Sequence, residues 1–339
     1  MAIRTAILGY GRSGSTMHAG PIEKLDDYEM TAVCDIDTER QAQAKERFDC
    51  PIYDDYHKML ASEALDLVVV VTRSDQHCQM TCDCLDAGVN VLVTKPWAVN
   101  AEEARRMMAA AQSSGKLLMP WLPARWGADV ERLRQLLCEE KVIGRVFLIR
   151  RAVTSFGTRC DWQTEKKYGG GYLLNWGPHI VDPPMLLKAV PPVSVYGRMM
   201  QTINPGDTED VFLAVITLAD GTVVQAEYTV SVEPLPEWYI QGDRGTIVVT
   251  NEEIRIHPKT PARPDDPTRF STMEAGNDGG TTEKRGKSSY GDQFRIYAEI
   301  AQAIRGDRPY AVPPEDALQL SKTFDAIRLS NETNQVVTL

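Results

Sequence analysis

AILGYGRSG, residues 6–14, is the stretch on which the fold turns. Gly9, Gly11 and Gly14 are spaced G-x-G-x-x-G, directly after an apolar run of strand character and directly before a helical pattern. The spacing alone is weak, and its context gives it weight. The next strand-like run, MTAVCDID (residues 30–37), contains Asp35, 21 residues beyond Gly14. In such an arrangement one glycine makes a tight turn, the second lets the backbone approach a pyrophosphate, and the third allows a helix to pack closely on the strand. The phosphate charge sits on the helix amino terminus, with Arg12 and Ser13 in the turn. Asp35 would hold the adenosine ribose hydroxyls and repel a 2′-phosphate, which favours NAD over NADP. Arg40 could offset that preference, but Asp35 and Asp37 stand against it.

Working outward, strand-like and helical segments alternate as far as KLLMPWL (residues 116–122). The runs LDLVVVVT (65–72) and NVLVTKP (90–96) are β-branched and lack strict polar alternation, as strands do in a parallel sheet covered on both faces. The pattern then changes to long strand-like runs: VFLIRRAVTSF, VSVYGRMMQTI, DVFLAVITLADGTVVQAEYTVS and EWYIQGDRGTIVVT. Asp220-Gly221 inside the third marks a hairpin. Two closely packed domains are expected, residues 1–122 and 123–339, with a cleft between them. The polar stretch from Pro258 to Ser289 is too long for an ordinary connection and reads as a surface loop or a flap.

Composition agrees with two globular cores: 339 residues, 43% hydrophobic and 25% charged. A net charge of −10, spread along the chain, argues against nucleic-acid or anionic-membrane partners. The amino terminus enters a strand at once, without the order of regions that marks a secretory signal, and the longest apolar runs are too short to span a bilayer. A cytoplasmic protein is expected. Seven scattered cysteines suggest neither a disulfide framework nor a zinc site, so no metal is expected.

If Gly9 to Gly14 bind a dinucleotide, the ligand crevice lies beyond the carboxyl ends of the strands. Thr72 and His77 follow one such end, Lys95 and Pro96 the next. A lysine pinned by the following proline would project into the crevice, and desolvation beside a nicotinamide would lower its pKa toward proton-transfer range. In GGGYLLNWGPHIVD (169–182), Asn175, His179 and Asp182 recur at steps of four and three, one face of a helix. The glycines would let backbone pass close to cofactor or substrate, and Asp182 reads as a solubilising charge at a helix end.

These motifs, in this order, resemble the glucose-fructose oxidoreductase, inositol dehydrogenase and rhizopine-catabolism (Gfo/Idh/MocA) family. TKPWAV (94–99), GKLLMPWLPARW (115–126), EDVFLAVITLADGTV (209–223), YIQGDRGTIVV (239–249) and the ending IAQAIRGDRPYAVPPEDALQLSKTFDAIRLS (300–330) extend the likeness along nearly the whole chain. The resemblance implies an oxidoreductase transferring a hydride between a nicotinamide cofactor and a hydroxyl-bearing carbon of a sugar, polyol or related cyclic alcohol. It implies an amino-terminal Rossmann doubly wound parallel sheet. The carboxyl-terminal α/β domain would carry an open, largely antiparallel sheet through which a homodimer or homotetramer forms. Lys95 and His179 would handle the proton.

Three positions depart from the family pattern: Thr94 replaces the usual glutamate before the lysine, Asn175 the aspartate before the histidine, and Arg73 a common proline. Asn175 can hold a hydroxyl but cannot take up a proton. That motivates an alternative of another class, a dinucleotide-binding sugar or redox sensor. A further alternative is an enzyme that recycles a tightly held NAD and carries out net elimination, hydrolysis or epimerisation. Arg125 and Trp162 lead the candidate sugar contacts, ahead of Trp126, Arg159, Asp161 and Tyr290.

Overall fold

The structure is a computed structural model and describes residues 1–261, 268–270, 272, 279–286, 288 and 290–339. Its first part alternates strand and helix: β1 (Ile3–Leu8), α1 (Ala19–Lys24), β2 (Tyr28–Cys34), α2 (Thr38–Phe48), β3 (Ile52–Tyr53), α3 (Tyr56–Ser62), β4 (Leu67–Val70), α4 (His77–Asp86), β5 (Asn90–Val93), α5 (Ala101–Ser114) and β6 (Leu118–Pro120). The six strands are all parallel, in the order β3-β2-β1-β4-β5-β6. Every residue of β4 is buried, as expected of a strand covered on both faces. The strand order reverses between β1 and β4, which opens a crevice at their carboxyl ends.

After α6 (Ala128–Arg134) come β7 (Val146–Ser155), α7 (Tyr172–Ile180), α8 (Asp182–Lys188), β8 (Pro192–Met200), β9 (Val211–Leu218), β10 (Val223–Val230), β11 (Trp238–Gly242), β12 (Gly245–Val249), β13 (Glu253–Pro258), β14 (Thr281–Lys284), α9 (Gln293–Arg305), α10 (Pro314–Thr333) and β15 (Val337–Thr338). Their strands form one sheet ordered β14-β13-β12-β11-β7-β10-β9-β8-β15. Only the β7–β10 pair is parallel. The hairpin at Asp220-Gly221 joins β9 to β10, with Gly221 at φ +83°. Buried and partly exposed residues alternate along β9, the mark of a sheet packed on one face. On the packed side α7 lies against β7, β9 and β10.

Two features differ from the sequence reading. The helix after the glycines ends at Ile180 and Asp182 opens a separate short helix, so the expected polar stripe is broken at Val181. The last helices also return to the first sheet: α9 packs on α1, and α10 on α5, β6 and β8. Tyr297 of α9 is fully buried, its hydroxyl 2.8 Å from His18 Nδ1 and its carbonyl accepting a 2.6 Å bond from the Tyr28 hydroxyl.

Part of the long polar stretch is ordered. Strand β14 pairs with β13, and Arg285 is buried between Asp129 and Glu237. The loop-or-flap reading of residues 262–267, 271, 273–278, 287 and 289 falls outside the described residues.

Candidate active site

The glycine turn is a cradle that side chains would fill. A Cβ on Gly9, at φ +99°, would stand 2.7 Å from the Val71 carbonyl oxygen, and one on Gly14 would stand 2.2 Å from the Gly9 oxygen. Both positions therefore exclude any larger residue. The buried Asp35 carboxylate closes the turn, accepting the Tyr10 amide at 2.6 Å and the Asp37 amide at 2.9 Å. Arg40 lies over Gly11, its Nη1 3.2 Å from where a Cβ would be, and its guanidinium reaches both Asp35 and Asp37 at 3.9 Å. Ser13 makes no side-chain cap, and the Ser15 amide donates to the Gly11 carbonyl at 2.9 Å, so the helical turn begins within the glycine motif itself. These residues fit a dinucleotide: a bare backbone turn, a helix amino terminus for phosphate, and a carboxylate at the end of β2 for ribose.

Beyond β4 and β5 the chain places Thr72, His77, Lys95 and Pro96 around the same crevice. Thr72 Oγ1 lies 3.5 Å from Met80 Sδ. His77 is turned inward, with each ring nitrogen against a backbone carbonyl, Pro96 at 2.7 Å and Thr72 at 3.1 Å. The Lys95 ammonium crosses to α7 and donates to Asn175 twice, at 2.6 Å to Oδ1 and 2.9 Å to the carbonyl oxygen. Burial, reinforced by the positive charges of Arg159 and Arg12, pulls the Lys95 pKa down to about 7.

Helix α7 is placed by the residues before it. A Cβ on Gly169 would lie 2.8 Å from both Ser74 Cβ and Val99 Cγ1, one on Gly170 2.5 Å from the Gln163 oxygen, and one on Gly171 2.5 Å from Glu209 Oε1. At all three positions the protein's own atoms already demand glycine. Arg73, one turn ahead of His77, stacks on the Tyr168 ring at 4.1 Å and ties the loop after β4 to this segment. Glu209 accepts the Leu173 amide at 2.9 Å and so caps a helix that has no cap of its own.

On α7, Asn175 and His179 stand four residues apart and share a face. The His179 ring packs against Tyr290 at 4.7 Å between centroids, and its Nδ1 is buried with no hydrogen-bond partner among the described residues. Burial, then the charges of Lys95 and Arg151, hold the His179 pKa well below its ordinary value. The imidazole is therefore neutral at physiological pH, with a nitrogen available to a ligand hydroxyl.

Arg125 does not join this group. Its guanidinium donates to Asp182 at 2.6 and 2.9 Å and to Asp316 at 2.7 Å. Asp182, 1% exposed, is accordingly a buried ion-pair partner rather than a solubilising charge. Trp162 is partly buried in a short turn beside Arg159. Arg159 bonds Gln163 and Asp161 through its terminal nitrogens and leaves a buried Nε without a partner.

Sequence reasoning passed over Arg151, Glu209 and Asp129. Arg151 is buried over the Trp238 ring at 5.0 Å, and Asp129 is buried against Trp238 Nε1 at 3.0 Å. A signal for Arg151 was available, because period-2 alternation puts it on the face of Ile149 and Val153, where apolar residues belong.

A parallel sheet with this glycine turn, and a lysine at the end of β5 bonded to the helix that carries His179, fit a dinucleotide-binding oxidoreductase. The chain belongs to the Gfo/Idh/MocA family. Residues 3–121 match its NAD-binding Rossmann-fold oxidoreductase model and residues 130–248 its carboxyl-terminal domain model. It is 25% identical to the scyllo-inositol 2-dehydrogenase (NADP⁺) IolW of Bacillus subtilis, over 99% of this chain and 96% of that protein. An NAD-binding protein from Listeria innocua superposes with a TM-score of 0.84 at 26% identity, covering 100% of this chain and 97% of the other. The WlbA dehydrogenase from Bordetella pertussis, in complex with NADH and UDP-GlcNAcA, shares the fold, with a TM-score of 0.83 at 23% identity over 100% and 98% of the two chains. Among the described residues no helix is long and apolar enough to cross a membrane.

Proposed function

We propose that this protein is an NAD-dependent dehydrogenase acting on a hydroxyl-bearing carbon of a sugar, polyol or related cyclic alcohol, with Lys95 and His179 handling the proton. The observation that carries the reading is Lys95 itself. It stands at the end of β5, holds Asn175 on the facing helix, and has a pKa near 7, so it exchanges a proton at physiological pH.

When bound, the nicotinamide supplies the hydride acceptor or donor. Neutral Lys95 takes the proton of the substrate hydroxyl during oxidation and returns it during reduction. Asn175 holds the Lys95 amine in place and offers its own amide to the hydroxyl. His179, neutral and unpartnered at Nδ1 among the described residues, accepts or donates a second hydrogen bond to the substrate. The aromatic faces of Tyr290 and Trp162 and the Arg159 guanidinium suit a sugar ring and its hydroxyls.

The preference for NAD rests on Asp35 and Asp37, which pair with the nearby Arg40 and would repel a 2′-phosphate. The relative from Bacillus subtilis carries NADP⁺ in its name, so the cofactor is tested directly. We place the protein in the cytoplasm, as a homodimer or homotetramer joined through the outer face of the second sheet.

Formation of NADH from NAD⁺ or of NADPH from NADP⁺ is measured with a panel of inositols, sugars, glycosides and sugar acids, beside Lys95→Ala. Turnover with NAD⁺ that is lost in the variant is the expected result. NAD⁺ binding without turnover on any substrate would reject the dehydrogenase in favour of a sensor or an internally recycled cofactor, readings that the neutral Asn175 supports.

A further inference from the structure

We infer that His77 is a positioning residue: its imidazole ties the turn after β4 to the turn after β5 and thereby fixes where Lys95 stands. This rests on the proposed proton-transfer role of Lys95. His77 opens α4 and is 1% exposed. Its Nδ1 lies 2.7 Å from the Pro96 carbonyl oxygen and its Nε2 3.1 Å from that of Thr72. Both carbonyls lie just past neighbouring parallel strands, and Pro96 follows Lys95 directly.

Pro96 has no amide hydrogen, so its carbonyl is its one main-chain polar group and must find a donor in a buried turn. His77 supplies it. A neutral imidazole carries a single N–H, and the shorter contact assigns it to Nδ1, donating to Pro96. Burial favours the neutral ring, with the two carbonyls pulling the other way. Nδ1 is thus committed to Pro96, while Nε2 faces the Thr72 carbonyl.

The consequence falls on Lys95, whose long side chain reaches Asn175 Oδ1 at 2.6 Å only from a fixed backbone position. One imidazole thus holds the lysine turn against the start of α4. A displacement of about 1 Å at such a site costs on the order of 100-fold in rate.

The test uses the full-length protein with His77→Ala, His77→Asn and His77→Gln. Lys95 is titrated by competitive acetylation with acetic anhydride across neutral and alkaline pH, read from the peptide that carries it, which needs no turnover. NAD⁺ affinity and kcat are measured in parallel. In His77→Ala the Lys95 titration is expected to rise from about 7 toward that of an ordinary lysine. kcat should fall about 10–100-fold while NAD⁺ affinity changes by less than about threefold. Asn or Gln, each able to offer Pro96 one donor, should restore part of both, and they carry the test if His77→Ala does not fold.

An unchanged Lys95 titration with unchanged kcat would overturn the inference, as would lost NAD⁺ affinity with kcat retained. If the titration moves in the His77 variants but Lys95→Ala leaves turnover intact, the positioning stands and the proton-transfer role of Lys95 fails.

Discussion

At the scale of single residues, the charge on Lys95 governs the pH dependence. Alcohol oxidation needs the neutral amine, so its kcat should fall about tenfold per pH unit below about 7 and level off above it, with the reverse for carbonyl reduction. After burial, Arg159 is the largest cause of the depressed pKa, so Arg159→Gln should move the acid limb to higher pH. A pH–rate profile of the variant checks this, and an unmoved limb would show that Arg159 does not contribute to the depressed value. Arg125 makes the opposite case. Arg125→Ala leaves Asp182 buried and unpaired, so it should cost about 3–5 kcal/mol of stability in denaturant titrations while KM changes little. A raised KM with unchanged stability would return Arg125 to the substrate site. Lys95, Asn175 and His179 were legible because each sits in a local motif. The fate of Arg125 was not, because its partners Asp182 and Asp316 lie 57 and 191 residues away.

At the scale of elements, helix α7 is aimed by contacts that only the folded chain supplies. Its amino terminus rests on Gly171, at φ +107°, and on a carboxylate from the strand region 38 residues later, at Glu209. Gly171→Ala would combine a disallowed backbone with a Cβ pressed against that carboxylate. Glu209→Ala removes the cap and should cost about 1–2 kcal/mol, less in Glu209→Gln, whose amide oxygen still accepts the Leu173 amide. Both Gly171→Ala and Glu209→Ala should lower kcat more than they weaken NAD⁺ binding, because they displace Asn175 and His179 and leave the glycine turn alone. Loss of NAD⁺ affinity with kcat intact would count against this account. The sequence displayed three glycines ahead of an apolar helix without showing which segments of the chain pack against them. What they meet is Ser74, Val99, Gln163 and Glu209, contacts between distant segments that no local pattern encodes. The break at Val181 was hidden for a similar reason, since Pro183 and Pro184 are tolerated in the first turn of a new helix and the spacing of Asn175, His179 and Asp182 runs across the join.

At the scale of the whole molecule, both sheets were legible from periodicity, continuous apolar runs for the parallel one and alternation for the other. The return of α9 and α10 to the first sheet was not, because an amphipathic helix shows that it has a buried face without showing what buries it. The same incompleteness leaves the outer face of the second sheet to be explained. Strand register lines up Tyr239, Arg150, Gln225, Val215 and Tyr196 in one row across β11, β7, β10, β9 and β8, and each is partly exposed. The row mixes two tyrosines and a valine with polar side chains, a composition suited to an association surface. In a twofold assembly the same patch faces itself, so a charge introduced near its centre meets its own copy. Val215→Lys should therefore convert a dimer or tetramer into monomers, or into dimers if a second interface exists. Light scattering on the eluting protein measures the mass, and the pH–rate profile should be unchanged because Lys95 lies on the other sheet. A wild-type monomer, or a Val215→Lys protein of unchanged mass, would rule this face out as the interface.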